Sequence, residues 1–299
     1  MVGLSNFSLL ASLPLLVAGR PQGTREILKR QNADIPAAFF LAGDSTTATN
    51  GGWGDGFLAE TLQNGAWGTN FAKSGATTVS FRNEGLWDDT IEAVKNVSAN
   101  GDYTAWVTIQ GRCRPDQLFS NAPLTQYLQF GHNDQKAAAG ISLQEFSDNL
   151  AKFVDEVRDA GGYPVSLVST YPSASAYEAT KQILVSSLSR RGYEDGRIVE
   201  NLANETAAAL SVAEEKGALS INLNKASTDY LNAIGSEDAW TYNLTPDDKT
   251  HLNEAGQSVF GNMVAWLLDT SAQGDLLSKY TVAGEQYVEA FENGVFIAE

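Results

Sequence analysis

His132 and His251 are the two imidazoles of the chain, and each stands near a carboxylate. Asp248 lies three residues before His251, a spacing at which one turn can bring its carboxylate to the imidazole Nδ1 and fix the tautomer. Asp247, four residues before, is the competing orienting group. His132 has Asp134 two residues after it, which suits that contact less well. An oriented imidazole is what a serine hydroxyl requires, since the hydroxyl is a weak nucleophile until a nearby base takes its proton. The candidate hydroxyl is Ser45 in Gly43-Asp44-Ser45, a tripeptide that alone would read as a helix cap. Attack on a carbonyl also needs donors aimed at the developing oxyanion. The main-chain N–H groups of Ser45 and Gly75 and the side-chain amide of Asn133 can supply them.

These residues must be positioned by the elements before them. The short apolar run 35–42 (IPAAFFLA) has the pattern of a buried parallel strand. Further strands are expected over 67–73 and 103–110, in the 163–170 region or after it, and over 218–223. Helices are expected over 53–62, 88–97, 143–160, 204–216 and 252–268. Strands alternating with helices predict a single-domain three-layer α/β/α sandwich on a parallel five-stranded sheet, flavodoxin-like in type. In such folds the site lies beyond the carboxyl ends of the strands. Ser45, Gly75 and Asn133 follow the first three strands.

In this order, the fragments resemble the four blocks of the SGNH (GDSL-like) hydrolase superfamily. Ser45 matches the first block, Gly75 the second, Asn133 the third, and Asp248 with His251 the fourth. The runs Gly43-Asp44-Ser45-Thr46-Thr47, Gly52-Trp53-Gly54, 129–136 (QFGHNDQK) and 250–253 (THLN) are similar to those of fungal rhamnogalacturonan acetylesterases. The likeness spans about residues 35–268. It implies catalysis by Ser45, Asp248 and His251 on an acetylated polysaccharide, most simply rhamnogalacturonan, by a monomer without cofactor. A lipase or general carboxylesterase of the superfamily is the alternative activity, and an inactive carbohydrate-binding protein a third reading. The arginine-rich run that often follows the second-block glycine is replaced here by 76–80 (ATTVS). A polymer containing galacturonate calls for local positive charge. Lys73, Arg82 and Lys136 are the candidates, with Asp44 and His132 as further substrate contacts.

Asp and Glu number 36 against 20 Lys and Arg, giving a net charge of -16. That balance argues against nucleic acid or an anionic membrane as partner. With two His and one Cys far apart, no metal-ligand spacing occurs. The lone Cys113 excludes an internal disulfide. Residues 1–19 read as a signal peptide, built on the apolar stretch 9–18, and 20–30 as a propeptide ending at Lys29-Arg30. Secretion would make Asn96, Asn204 and Asn243 glycosylation acceptors. The hydrolase domain is expected over 34–270, with 271–299 as a C-terminal extension. Segments 111–129 and 165–182 interrupt otherwise continuous strand-and-loop patterns. They read as translated introns or as surface-loop insertions.

Overall fold

The computed structural model describes residues 35–110, 132–134, 138–161, 182–200 and 202–298. The expected leader, propeptide and segment 111–129 lie outside these residues, as does 165–181. Strand β1 (Ala37–Ala42) is buried along its whole length, because it lies inside a parallel sheet covered on both faces. Ala37, Phe39 and Leu41 face one core while Ala38, Phe40 and Ala42 face the other. Burying each phenylalanine stabilises the fold by about 1.5–3 kcal/mol.

Helix α1 (Gly54–Glu60) leads to β2 (Trp67–Asn70). Helices α2 (Thr78–Asn83) and α3 (Leu86–Asn100) precede β3 (Thr104–Gln110). After α4 (Leu143–Ala160) come β4 (Gln182–Val185) and a hairpin of β5 (Tyr193–Glu194) and β6 (Arg197–Ile198). Helix α5 (Ala203–Lys216), β7 (Leu219–Ile221), α6 (Leu223–Trp240) and α7 (Glu254–Asp269) follow, and α8 (Gly274–Leu277) and α9 (Glu285–Asn293) close the chain. The sheet order is β2-β1-β3-β4-β7, with every pair parallel. Leu41 registers with Asn70 on one side and Thr108 on the other. The carboxyl ends of β1, β2 and β3 therefore lie at the same end of the sheet.

Apolar residues of α3, α4 and α5 cover one face of the sheet, and those of α1, α6 and α7 cover the other. The ten elements expected from periodicity have counterparts, five strands and five helices, the fourth strand lying after the 163–170 region, at Gln182–Val185. Gln182 itself belongs to β4, opposite Val107, although the sequence places it in the second interruption. Its buried amide nitrogen and oxygen find no hydrogen-bond partner among the described residues. Elements without strong periodicity were not expected: α2, α6, the β5–β6 hairpin, α8 and α9. Helix α6 contains a non-helical residue, Gly235, which breaks its pattern.

Residues 271–298 supply Leu277, Tyr280, Tyr287 and Ala290 to the core beneath α7. Phe291 packs against Tyr230 at 5.3 Å and Trp266 at 5.5 Å between ring centres. This stretch is part of the same compact unit, which begins at Pro36.

Candidate active site

The turn after β1 is closed from within. Main-chain N–H groups of Thr47 and Ala48 donate to the Asp44 carbonyl at 3.1 and 2.9 Å. The Asp44 carboxylate accepts from the Thr46 N–H at 2.8 Å and the Thr46 hydroxyl at 2.9 Å. Asp44 is fully buried, and these bonds make its side chain part of the turn. Gln110, at the end of β3, accepts from the Thr47 hydroxyl at 2.6 Å and donates to the Thr46 hydroxyl at 3.0 Å. Gly52 lies so close that a β-carbon there would sit 2.4 Å from the main chain of Thr46 and Thr47. The turn is thus clamped on two sides and presents Ser45, which is 3% exposed. Ser45 Oγ has no hydrogen-bond partner among the described residues.

Asp248 and His251 meet as the three-residue spacing predicts. Asp248 Oδ2 is 2.7 Å from His251 Nδ1, and Oδ1 accepts the N–H groups of Thr250 and His251, each at 3.0 Å. Burial pushes the Asp248 pKa up, but the bonds from His251 and Thr250 outweigh it and leave the carboxyl below its ordinary value. A carboxylate at Nδ1 fixes the proton there and leaves Nε2 free to accept one. Asp247 is exposed and makes no contact of this kind. The imidazole lies against Gly51, and Leu252 N–H donates to the Gly51 carbonyl at 2.8 Å. Segment 51–53 therefore joins this loop to the Ser45 turn.

The third part surrounds Gly75. Its φ of +81° lies in the left-handed region, which glycine adopts without steric cost. Among the described residues, the main-chain N–H groups of Ser45 and Gly75 donate to no protein acceptor. Asn133 is buried and gives one amide hydrogen to the Ala76 carbonyl at 3.0 Å. Asp134 accepts from the Thr78 N–H at 2.8 Å and from the Thr78 hydroxyl. Burial, opposed by these bonds and reinforced by the Asp44 charge, pushes the Asp134 carboxyl up to about 7.

His132 is fully buried. Arg190 Nε–H donates to its Nδ1 at 3.1 Å, which places the ring proton on Nε2, 3.3 Å from the Leu188 carbonyl. With its acceptor nitrogen occupied by Arg190, His132 is not poised as the base. Lys73 pairs with Glu84. Arg82 pairs with Glu156 at 2.9 Å and lies 4.9 Å from the Phe153 ring centre, so it faces α4. Both cations are thus paired with carboxylates, and Lys136 lies outside the described residues. Lys249, which the sequence reading passed over, is exposed on the catalytic loop with its ammonium 4.8 Å over the Trp240 ring. Gln110, Thr78, Arg190 and Arg191 were also missed. The only local signal was two consecutive arginines just beyond an apolar strand. Among the described residues no His, Cys, Asp and Glu cluster could hold a metal, and no helix is long and apolar enough to cross a membrane.

A serine on a turn that residues 51–53 join to an oriented imidazole, with unspent main-chain donors at Ser45 and Gly75, can carry acyl transfer to water. Known proteins agree with this class of chemistry. The GDSL-like lipase/acylhydrolase family profile matches residues 41–259. The rhamnogalacturonan acetylesterase RhgT of Bacillus subtilis is 28% identical over 250 residues, covering 77% of this chain and 88% of that protein. The crystal structure of the Bacillus subtilis protein YxiM superposes with a TM-score of 0.57 at 19% identity. That alignment covers 78% of this chain and 56% of the other, and shows the shared fold. The chain belongs to the GDSL-like lipase/acylhydrolase family, within the SGNH hydrolase superfamily, and is a carboxylic-ester hydrolase.

Proposed function

We propose that the protein is a secreted carbohydrate acetylesterase that deacetylates rhamnogalacturonan. The observation that carries the reading is the 2.7 Å contact of Asp248 with His251, joined through Gly51 and Gly52 to the turn bearing Ser45. Ser45 Oγ attacks the acetyl carbonyl carbon while His251 Nε2 takes its proton. The N–H groups of Ser45 and Gly75, with Asn133, stabilise the oxyanion. Collapse breaks the bond to the sugar oxygen, which receives the proton from His251, and leaves acetyl-Ser45. Water activated by His251 then releases acetate. Asp248 holds the imidazole and stabilises its charged form.

The substrate reading is supported by the similarity to a rhamnogalacturonan acetylesterase over most of both chains. Secretion is supported by the apolar stretch at residues 9–18 and the dibasic pair that follows. Lys249 offers an exposed cation beside Asp248 for a galacturonate carboxylate. The test compares acetate release from acetylated rhamnogalacturonan, xylan and homogalacturonan, with long-chain esters as control. Fastest release from rhamnogalacturonan is expected. Preference for xylan would overturn the polymer, and preference for long acyl chains would make the protein a lipase.

A further inference from the structure

Beyond β4 the chain runs as Ser186–Arg191, and hydrogen bonds hold it along its length. Ser186 N–H donates to the Ile221 carbonyl at 3.1 Å, and Asn224 donates to the Ser187 carbonyl at 3.0 Å. Ser189 N–H donates to the Ser227 hydroxyl at 3.0 Å. The segment is thus fixed to the start of α6 before it reaches two consecutive arginines whose side chains go to different loops.

Arg190 Nε–H donates to His132 Nδ1 at 3.1 Å, one residue from Asn133. Arg191 is fully buried and grips the other loop. Its Nη2–H donates to the His251 carbonyl at 2.5 Å and its Nε–H to Asn243 Oδ1 at 2.6 Å. Its main chain joins the same loop, N–H donating to the Lys249 carbonyl at 2.8 Å and the carbonyl accepting from Trp240 Nε1–H at 2.9 Å. Burying a guanidinium is costly unless its donors are used. Here Nε and Nη2 are spent on the loop that carries Asp248 and His251, while Nη1 finds no partner among the described residues.

We infer that Arg190 and Arg191 are positioning residues that lock the oxyanion-donor loop and the acid–base loop to one anchored segment, so that Asn133 and His251 serve the same acetyl group, one at its oxyanion and the other at the attacking and leaving oxygens. The inference rests on the catalytic roles proposed for Ser45, Asn133 and His251. Neither arginine touches substrate. Each acts through a histidine neighbour: Arg190 through the His132 ring beside Asn133, Arg191 through the His251 main chain. A shift of about 1 Å in such a group can cost on the order of a hundredfold in rate.

The test uses the full chain and an aryl acetate. Arg190→Ala should lower kcat by about ten- to a hundredfold and leave KM within about twofold, since the lost contact matters in the transition state. Millimolar methylguanidine should restore much of the rate. In an Asn133→Ala background the same change should cost less than about twofold, because its route to the chemistry is already gone. Arg191→Lys keeps the charge but not the fork, and should also lower kcat with KM held. Unchanged kcat in Arg190→Ala, or an equal loss with and without Asn133, would overturn the inference. Ser45→Ala is run alongside. If it retains activity the catalytic reading itself fails, whereas an inactive Ser45→Ala beside a fully active Arg190→Ala refutes the arginine roles alone.

Discussion

The His251 imidazole is oriented by a carboxylate three residues away, and that carboxylate is in turn held by main-chain N–H groups of the same turn. His132, Asn133 and Asp134 are placed differently. Their partners Arg190, Ala76 and Thr78 lie 58, 57 and 56 residues away. The first group, the Asp248–His251 pair, is set within its own short turn, even though Arg191 and Gly51 fix where that turn sits, whereas the second exists only once β1 to β4 have assembled. Substitutions in the first should therefore damage chemistry and spare the fold. In the second, folding stability and chemistry should change together.

The largest effect belongs to the local turn. Asp248→Asn should lower kcat by roughly 10⁴-fold by presenting the wrong tautomer of His251, with the unfolding temperature little changed. Asp247→Asn should leave kcat within about twofold, because the exposed side chain at 247 does not hold the imidazole. Steady-state kinetics on both variants decides the matter. Equal losses would break the assignment of Asp248.

The long-range loop should show itself in the pH dependence of stability. Asp134 has a folded pKa of about 7, above its unfolded value of about 3.9. The folded state therefore holds this proton more tightly, and the contribution to stability is fully present below about pH 4. It falls as the pH rises through about 7. Thermal unfolding of the wild type and Asp134→Asn from acid to neutral pH should show curves that diverge across this window, with the asparagine variant lacking the decline. Parallel curves would contradict the buried, protonated state.

A smaller effect is expected at Gln182, whose buried amide lacks partners where β4 begins. Gln182→Leu should stabilise the fold by about 1–2 kcal/mol, read by denaturant unfolding. A loss of stability would show that the amide is satisfied in solution.

The same contrast explains what could be read from the chain alone. The buried run 37–42 and the stripe Phe146, Leu150, Phe153, Val154, Val157 were legible because periodicity records which face is covered. Asp248 and His251 were legible because their partnership is local. The hairpin at 193–198 carried a turn signal in Asp195-Gly196, both with positive φ, yet its strands are too short to show alternation. The partnership of Asp134 with Thr78, and of Arg190 with His132, left no trace in spacing. Lys73 and Arg82 were picked out by their sequence proximity to Gly75, and their pairing with Glu84 and Glu156 left no comparable signal in the sequence.

The central claim is that Ser45 becomes acylated. Mass spectrometry of the protein treated with a serine-directed organophosphate tests it most directly. One adduct per chain on the peptide containing Ser45 is predicted, with none in Ser45→Ala and no aryl acetate hydrolysis by that variant. Labelling at another residue, or wild-type turnover by Ser45→Ala, would contradict the account.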